Sequence, residues 1–276
     1  MNRTQRAEKA QETLDIFKAG RYAIGGNTAD GSTAGGNTAG GGAIECKSCF
    51  TTELFKEKQL KEIVLPDRDL SPKYEVLNES VVDTVLRNES CGVLNFASAK
   101  NPGGGFLNGA VAQEECLAVS SDLYISQLQA PGFYDDNRQQ RSALYTHNMI
   151  YSGNITFIRD GKLDLIKSPV KADVLTSPAV NAGAYYRNEN GSRATVLKTM
   201  ETRIRYILAL FASKGVGTIV LGAYGCGVFG NEASDVAGTF SKLLRQEKYE
   251  RHFSRIIFAV YDTNGQQFRV FQRTFN

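Results

Sequence analysis

Three consecutive glycines and a pair of neighbouring glutamates are the residues of this chain best suited to chemistry. Gly103–Gly105 follow a mostly apolar segment, and Gln113, Glu114 and Glu115 follow the glycines after seven intervening residues. Glycines let backbone N–H groups approach an anion closely, and a helix N-terminus adds free N–H groups and a positive partial charge. A carboxyl group beside a bound phosphate is placed to act on a bond of the same ligand. The pattern indicates a nucleotide-type ligand and acid-assisted bond cleavage.

A second glycine-rich loop follows the apolar segment Thr218–Ala223 and contains Gly225, Gly227, Val228 and Phe229. Each glycine loop comes after a predicted strand and before a predicted helix. One such loop is a weak signal, because strand-to-helix turns often need glycine for steric reasons. Two of them together indicate a clamp on a diphosphate.

Predicted strands and helices alternate from about residue 74 onward. The predicted strands are Tyr74–Leu77, Cys91–Ala97, Asp173–Thr176, Thr218–Ala223 and Arg255–Tyr261. The predicted helices are 80–86, Ala112–Gln127, Ser192–Ser213, Glu232–Gln246 and 264–273. Alternation of this kind, with strands that are mostly apolar, predicts a three-layer α/β fold. In such folds ligands bind at the carboxyl ends of the strands, where both glycine loops begin.

The N-terminal part of the chain has a different character. Residues 3–18 have helical apolar spacing, and Gly20 is a suitable end for that helix. The tract from Gly25 to Gly42 contains Gly-Gly-Asn-Thr-Ala twice and has too few apolar groups to offset the entropy of ordering. We predict a linker loop there, although its glycines could also hold a phosphate. Residues 1–73 are therefore predicted as an accessory extension packed on a core of residues 74–276.

Composition limits the function classes. The chain has 276 residues, a hydrophobic share of 42% and a net charge of +3, which suits one α/β domain and an anionic ligand better than a dedicated nucleic-acid binder. Cys46 and Cys49 form a C-x-x-C pair, but the only histidines, His147 and His252, are remote in sequence. We expect no metal site and no disulfide framework. No apolar run approaches the ~20 residues of a membrane span, so we predict a cytoplasmic protein.

These motifs resemble the macrodomain family, and specifically its bacterial-type poly(ADP-ribose) glycohydrolases. The hallmark of that group is a triple glycine followed, after a short segment, by Gln-Glu-Glu, as in Gly103–Gly105 and Gln113–Glu115. Other segments that support the resemblance are Gly20–Tyr22, Met149–Ser152, Phe157–Asp160, Leu175–Asn181 and Leu221–Phe229. The resemblance implies a three-layer α/β/α macrodomain with a mixed central sheet and an N-terminal extension of helix and loop.

The activity that the resemblance implies is hydrolysis of ribose–ribose O-glycosidic bonds in poly(ADP-ribose), at chain ends, with release of ADP-ribose and without a cofactor. It implies that Glu115 is the catalytic acid, which protonates the leaving oxygen and then activates water. Glu114 would bind ribose hydroxyls or hold the glycine loop. Neighbouring residues on a helix point about 100° apart, so the two carboxylates cannot flank a sugar as in ordinary glycosidases.

The resemblance also implies how the ligand is held. The diphosphate would lie against Gly103–Gly105 and against the loop with Gly225, Gly227 and Val228. Phe229 would pack beside the ribose next to the bond that breaks. A buried core position is the alternative for this phenylalanine.

Three further residues are candidate ligand contacts, each with an equally good structural explanation. Gln113 would orient the ligand or merely begin the helix. Asn101 would bond a ribose hydroxyl or form the turn before Pro102. Glu79, with Asn78, would contact the adenine or belong to the capping segment of the next helix.

Two other functions remain open at this stage. A macrodomain that only binds ADP-ribose is one, and the presence of both glutamates disfavours it. A hydrolase that removes single ADP-ribose groups from modified proteins or nucleic acids is the other, since the same clamp would serve these ligands. The predicted partners are accordingly poly(ADP-ribose) or ADP-ribosylated macromolecules, with ADP-ribose as the product.

Overall fold

The computed structural model describes residues 1–24 and 42–276. The predicted glycine-rich loop from Gly25 to Gly42 lies outside the described residues except for Gly42, and it stays a prediction. Within the described part, helices and strands alternate along most of the chain. The strands are β1 (Arg21–Tyr22), β2 (Ile44–Glu45), β3 (Thr51–Phe55), β4 (Lys73–Leu77), β5 (Gly92–Phe96), β6 (Met149–Arg159), β7 (Leu165–Ser177), β8 (Thr218–Leu221) and β9 (Arg255–Ala259).

The helices cover the sheet and connect its strands. They are α1 (Arg3–Ala19), α2 (Glu57–Lys61), α3 (Val81–Leu86), α4 (Gln113–Ser120), α5 (Leu123–Gln127), α6 (Pro131–Gln139), α7 (Ala182–Glu189), α8 (Arg193–Ser213), α9 (Ala233–Ser241) and α10 (Gln266–Phe275). A π-helical turn continues α9, and a short 3-10 turn follows the first glycine loop.

The central sheet has seven strands in the order β3-β6-β7-β5-β8-β9-β4. The neighbours from β7 through β5, β8 and β9 to β4 are parallel. β3, β6 and β7 pair in antiparallel fashion. The predicted mixed central sheet is therefore confirmed.

Both faces of this sheet are covered, as the mostly apolar strands predict. Val93 and Val220 lie in one buried cluster with residues of α3 and α4. Leu94 and Ile219 lie in a second cluster with residues of α8, α9 and α10. Because successive strand residues point to opposite faces, two separate cores require helices on both sides. The three-layer α/β/α arrangement is confirmed.

Local turn chemistry accounts for the helix ends. α1 ends at Gly20, which has φ of +70° and donates its N–H to the Ile16 carbonyl. Ser80 and Ser192 cap α3 and α8 by accepting backbone N–H groups of the first helical turn. These three helix boundaries agree with the sequence prediction.

The prediction of one continuous helix over Ala112–Gln127 is wrong. The chain divides into α4 and α5 at Ser121, which is extended, with φ of −149°, and pairs with Phe157 of β6. Asp122 accepts the Thr156 N–H at 2.8 Å. Pairing with a distant strand therefore outweighs the local helical tendency at this point.

The sequence prediction misses most of the antiparallel half of the sheet. It includes only Asp173–Thr176 as strand, whereas β7 begins at Leu165 and pairs with β6 along most of its length. β6 is buried at all positions but Asn154, so it shows no alternation that would mark a strand. β3 is missed as well; it lies within residues 1–73 and forms one edge of the central sheet. The division at residue 73 stays a prediction.

In the described part of the chain, no helix is both long enough and apolar enough to cross a membrane. The cytoplasmic location stays a prediction.

Candidate active site

The two glycine loops begin at neighbouring strands. β5 lies between β7 and β8, with Phe96 opposite Ser177 and Val93 opposite Val220. All three strands are parallel, so the loops after β5 and β8 leave the same edge of the sheet. The structure thus brings together the two loops that the sequence singled out.

The first glycine loop has a backbone that other residues rarely adopt. Gly103 and Gly104 have φ of +64° and +59°. A Cβ atom on Gly104 would lie 2.3 Å from Oε1 of Glu115, and one on Gly103 would lie 2.7 Å from the Phe106 ring. Gly105 donates its N–H to Oε1 of Glu115 at 2.9 Å. Glycine is thus needed at positions 103 and 104, and the loop holds the Glu115 carboxyl group.

Glu114 is buried, with 3% of its surface exposed. It accepts hydrogen bonds from Asn95 Nδ2 at 3.1 Å, Gln127 Nε2 at 3.1 Å and the Ser98 N–H at 2.6 Å. Desolvation raises the pKa of Glu114 to about 8, with a smaller contribution from the charge of Glu115, while the three donors oppose this shift. Glu114 therefore joins the start of α4 to β5 and to the beginning of the glycine loop.

Gln113 bonds to the backbone of β5. Its Oε1 accepts the Phe96 N–H at 2.8 Å, and its Nε2 donates to the Leu94 carbonyl at 2.7 Å. These contacts fix the start of α4 against the end of the strand. A direct role in orienting the ligand stays a prediction.

Gln127 is a site residue that sequence reasoning missed. Its Oε1 accepts the Gly103 N–H at 2.7 Å, and its Nε2 donates to Glu114. It thereby connects the glycine loop to the buried glutamate. No motif or spacing marks Gln127, since it lies at the end of α5 and reaches both partners through the tertiary fold.

Asn101 and Glu79 occupy the places where their structural explanations put them. Asn101 is exposed, and its carbonyl accepts the Gly104 N–H at 3.1 Å within the turn. Glu79 forms an ion pair with Arg87 and accepts the Thr84 hydroxyl at 2.7 Å. It follows β4, three strands along the same sheet edge from β5, a displacement of about 14 Å. Ligand contacts of both residues stay predictions.

The second loop is anchored at its base and open at its tip. Gly225 has φ of +76°, and a Cβ there would lie 2.5 Å from Ala179. Asn231 donates from Nδ2 to the carbonyls of Gly225 and Val180 at 3.0 and 2.8 Å. Val228 at the tip is 93% exposed, and Gly227 is exposed as well.

Phe229 lies between the anchored and the open parts of this loop. It is half-buried and packs against the edge of the core. Its carbonyl accepts the Gly183 N–H at 3.0 Å, and its ring centroid lies 6.1 Å from that of Tyr145. One side of the ring is therefore supported by the protein.

A cavity of about 440 Å³ lies beside Glu115. Its lining includes Arg6, Phe106, Glu115 and Tyr261. Tyr261 is 74% exposed, because β9 ends at Ala259 rather than at the predicted position 261. Sequence reasoning placed Tyr261 in the strand and Arg6 in the accessory helix, and it missed both as candidate site residues.

All five cysteines carry free thiols; Cys46 is buried and Cys49 is exposed. Over residues 1–24 and 42–276, no three or more His, Cys, Asp or Glu side chains cluster in a way that could hold a metal ion.

Comparison with known proteins gives consistent results. Residues 10–160 match the family model of the microbial-type PARG catalytic domain, where PARG stands for poly(ADP-ribose) glycohydrolase. The poly(ADP-ribose) glycohydrolase of Thermomonospora curvata is 32% identical, with 99% of this chain and 100% of that one covered and a TM-score of 0.86. Its structure with the inhibitor ADP-HPD gives a TM-score of 0.83.

The enzyme from Deinococcus radiodurans in complex with ADP-ribose is 38% identical, with 81% and 93% of the two chains covered and a TM-score of 0.76. A comparison with curated proteins gave no match. The family match spans more than half of the chain, and the structural matches extend it over both glycine loops. The chain therefore belongs to the microbial-type poly(ADP-ribose) glycohydrolase family and is a glycosidase.

Proposed function

We propose that this protein hydrolyses the ribose–ribose O-glycosidic bond at the ends of poly(ADP-ribose) chains and releases ADP-ribose, with Glu115 as the catalytic acid. The observation that carries this proposal is the position of Glu115. Glu115 lines the cavity of about 440 Å³, and its Oε1 is held at 2.9 Å by the Gly105 N–H of the first glycine loop. The solved relatives with ADP-ribose and ADP-HPD support a ligand of this class.

The proposed reaction uses one carboxyl group twice. Glu115 donates its proton to the oxygen that leaves with the penultimate ribose, while positive charge develops on the anomeric carbon of the terminal ribose. The resulting carboxylate then takes a proton from water, whose oxygen attacks that carbon. General acid–base catalysis by one positioned group typically contributes about 10²–10⁴-fold to the rate.

Glu114 has a supporting role in this proposal. Its two oxygens are engaged by three donors from β5, α5 and the glycine loop, so it holds these segments around Glu115. The backbone N–H groups at the exposed tip of the second loop, Gly227–Phe229, would bind the diphosphate. The N–H groups of Gly103–Gly105 are donated to Gln127, the Asn101 carbonyl and Glu115, so these glycines would instead let the backbone lie close to the diphosphate without side chains. Phe229 would hold the terminal ribose.

Tyr261 is proposed to contact the base. It is exposed, lies at the carboxyl end of β9 and lines the same cavity as Glu115. Aromatic side chains stack on nucleobases irrespective of sequence. Asn101 and Glu79 are kept as proposed contacts of the ribose and the adenine.

The test compares wild type, Glu115→Gln and the control Glu62→Gln, an exposed glutamate at the end of α2. Each is incubated with poly(ADP-ribose) and with mono-ADP-ribosylated protein, and products are identified by chromatography. We expect wild type and Glu62→Gln to release single ADP-ribose units from the polymer from the earliest time points. Glu115→Gln should lose about 10³-fold in kcat and keep its affinity for ADP-ribose within about threefold.

Other outcomes would overturn parts of the proposal. Early release of oligomers would indicate internal cleavage. Release from the mono-modified protein alone would indicate a mono-ADP-ribosyl hydrolase, and binding without any release would indicate a binding module. Full activity of Glu115→Gln would exclude Glu115 as the acid.

A further inference from the structure

Arg203 is a fully buried cation at the midpoint of α8. Its guanidinium donates to four main-chain carbonyls. Nη1 bonds to Pro178 at 2.9 Å, and Nη2 lies 2.8, 3.2 and 2.9 Å from the carbonyl oxygens of Leu144, Tyr145 and Thr146. Among the described residues, no carboxylate lies within ion-pair distance of it. The guanidinium is thus held by backbone carbonyls, and the charge of Glu57 acts on it only from a longer distance.

Burial of a guanidinium costs free energy unless its donors are satisfied, and the partners here require one particular backbone geometry. A buried charge needs close partners, and three successive carbonyls converge on one point only in a tight turn. Tyr145 in that turn has φ of +57°, which is uncommon for a residue with a side chain. Only the planar fork of an arginine supplies several donors in fixed directions, whereas a lysine ammonium is a compact point charge. Arg203 therefore stabilises the turn Leu144–Thr146, in which Tyr145 adopts a positive φ that a tyrosine does not favour.

This turn supports the second glycine loop. The Tyr145 ring lies 6.1 Å from the Phe229 ring, with an angle of 48° between the ring planes. The same guanidinium holds Pro178, and two residues later the Val180 carbonyl accepts Nδ2 of Asn231 at the base of the loop. One buried cation thus connects the support of Phe229 to the anchor of its loop.

We propose that Arg203 is a positioning residue of the active site, which fixes the Leu144–Thr146 turn so that the Tyr145 ring holds Phe229 in its place beside the terminal ribose. The part of this inference that concerns substrate rests on the proposed function. The diphosphate contacts depend less directly on this turn, because Asn231 holds the base of the second loop and Gln127 holds the first loop. Loss of the support should therefore lower kcat more than it changes affinity.

A fluorescence experiment tests the positioning without any substrate. The chain contains no tryptophan, so Phe229→Trp introduces a single indole reporter at the position in question. Into this background we would introduce Arg203→Lys or, as a matched control, Arg205→Lys on the same helix, whose partners Glu201 and Glu247 lie on the protein surface. We expect Arg203→Lys to raise iodide quenching of the reporter about twofold or more and to shift its emission to longer wavelength, because polar exposure of the ring increases. Arg205→Lys should leave both signals unchanged.

Tyr145→Asn provides a second variant in case Arg203→Lys does not fold. Asparagine tolerates a positive φ, so the turn is kept while the supporting ring is removed. Its effect on the fluorescence of the indole reporter should match that of Arg203→Lys. Unchanged quenching and emission in the folded variants would overturn the inference.

Enzyme kinetics, measured on variants that keep the native Phe229, separate a positioning role from a role in stability. We expect Arg203→Lys and Tyr145→Asn to lower kcat on poly(ADP-ribose) about tenfold with less than about a threefold change in KM. A lower melting temperature with unchanged kcat per folded molecule would mean a structural role only, and would also overturn the inference. The fluorescence readout needs no hydrolysis, so failure of the proposed function would appear separately, as absence of turnover in wild type.

Discussion

Glu114 and Glu115 are neighbours in sequence and have different surroundings. Glu114 is buried between β5, α5 and the glycine loop, whereas Glu115 lines a cavity and contacts the loop through one oxygen. The angle between successive helix residues separates the two side chains, and the sheet edge then buries only one of them. A supporting and a reacting carboxyl group can therefore arise from adjacent positions.

The burial of Glu114 predicts a pH dependence of stability. Because its pKa in the folded protein is about 8, above the ordinary value of 4.5, the folded state binds this proton more tightly than the unfolded state. The contribution of Glu114 to the stability of the folded protein is fully present below its pKa in the unfolded chain and is lost as the pH rises through about 8. From about pH 5 to about pH 8, the free energy of unfolding of wild type should fall relative to Glu114→Gln by on the order of 3 kcal/mol.

Urea denaturation of both proteins across this pH range is the measurement. Glu114→Gln also places an amide N–H₂ group among three donors, so it should be the less stable protein at low pH. If the difference in unfolding free energy between wild type and Glu114→Gln does not change with pH, the raised pKa of Glu114 is contradicted.

The accessory helix α1 contacts both ends of the segment that carries the glutamates. Arg3 and Arg6 donate from Nε to the carbonyls of Asn108 and Gly109 at 2.7 and 2.9 Å, just after the glycine loop. Thr13 donates to the Val119 carbonyl near the end of α4 at 2.8 Å. A Cβ on Gly109 would lie 2.0 Å from the Arg3 carbonyl oxygen, so the approach is close. The helix is thus part of the frame around the active site.

We therefore expect the double variant Arg3→Ala/Arg6→Ala to lower kcat/KM on poly(ADP-ribose) about tenfold. Two hydrogen bonds are worth about 1–3 kcal/mol together, enough to let the loop after Gly105 shift. Lys9→Ala, on the same helix and paired with the nearby Glu12, is the control. Steady-state kinetics decide, and equal kcat/KM values for the two variants would show that α1 does not position the loop.

Several elements of the fold could be predicted because their signals are local. β5, β8 and β9 are short, mostly apolar segments, and serines mark the starts of α3 and α8. The β6–β7 pair could not be predicted in this way, because its long antiparallel ladder joins residues whose burial does not alternate in β6. The break at Ser121 likewise depends on Phe157, far away in the sequence.

The molecule as a whole has a low net charge for a protein that acts on a polyanion. The value of +3 gives no strong general attraction, so affinity has to come from the site. Both glycine loops lie at the carboxyl ends of β5 and β8, which are neighbouring parallel strands, and this spacing suits a single diphosphate. Recognition of one terminal unit, rather than of a long stretch of polymer, agrees with this charge.

This predicts a shallow salt dependence. If only the two phosphates of the terminal unit are bound, and by neutral backbone N–H groups, KM for poly(ADP-ribose) should rise between about 50 and 200 mM salt by no more than the roughly sevenfold expected when two phosphates are neutralised. Initial rates measured over this range, with ADP-ribose binding measured in parallel, test the expectation. A much steeper rise for the polymer than for ADP-ribose would indicate additional contacts along the chain.

The two glycine loops, helices such as α1, α3 and α8, and the candidate carboxylates could be read from the amino acids alone, because glycine turns, serine caps and apolar runs act over a few neighbouring residues. The environment of those carboxylates could not. Glu114 takes its donors from Asn95 and Gln127, and Phe229 depends on Tyr145 and, through it, on Arg203. Such polar and aromatic partners come from separate segments that meet only when the sheet has assembled, so no local pattern marks them.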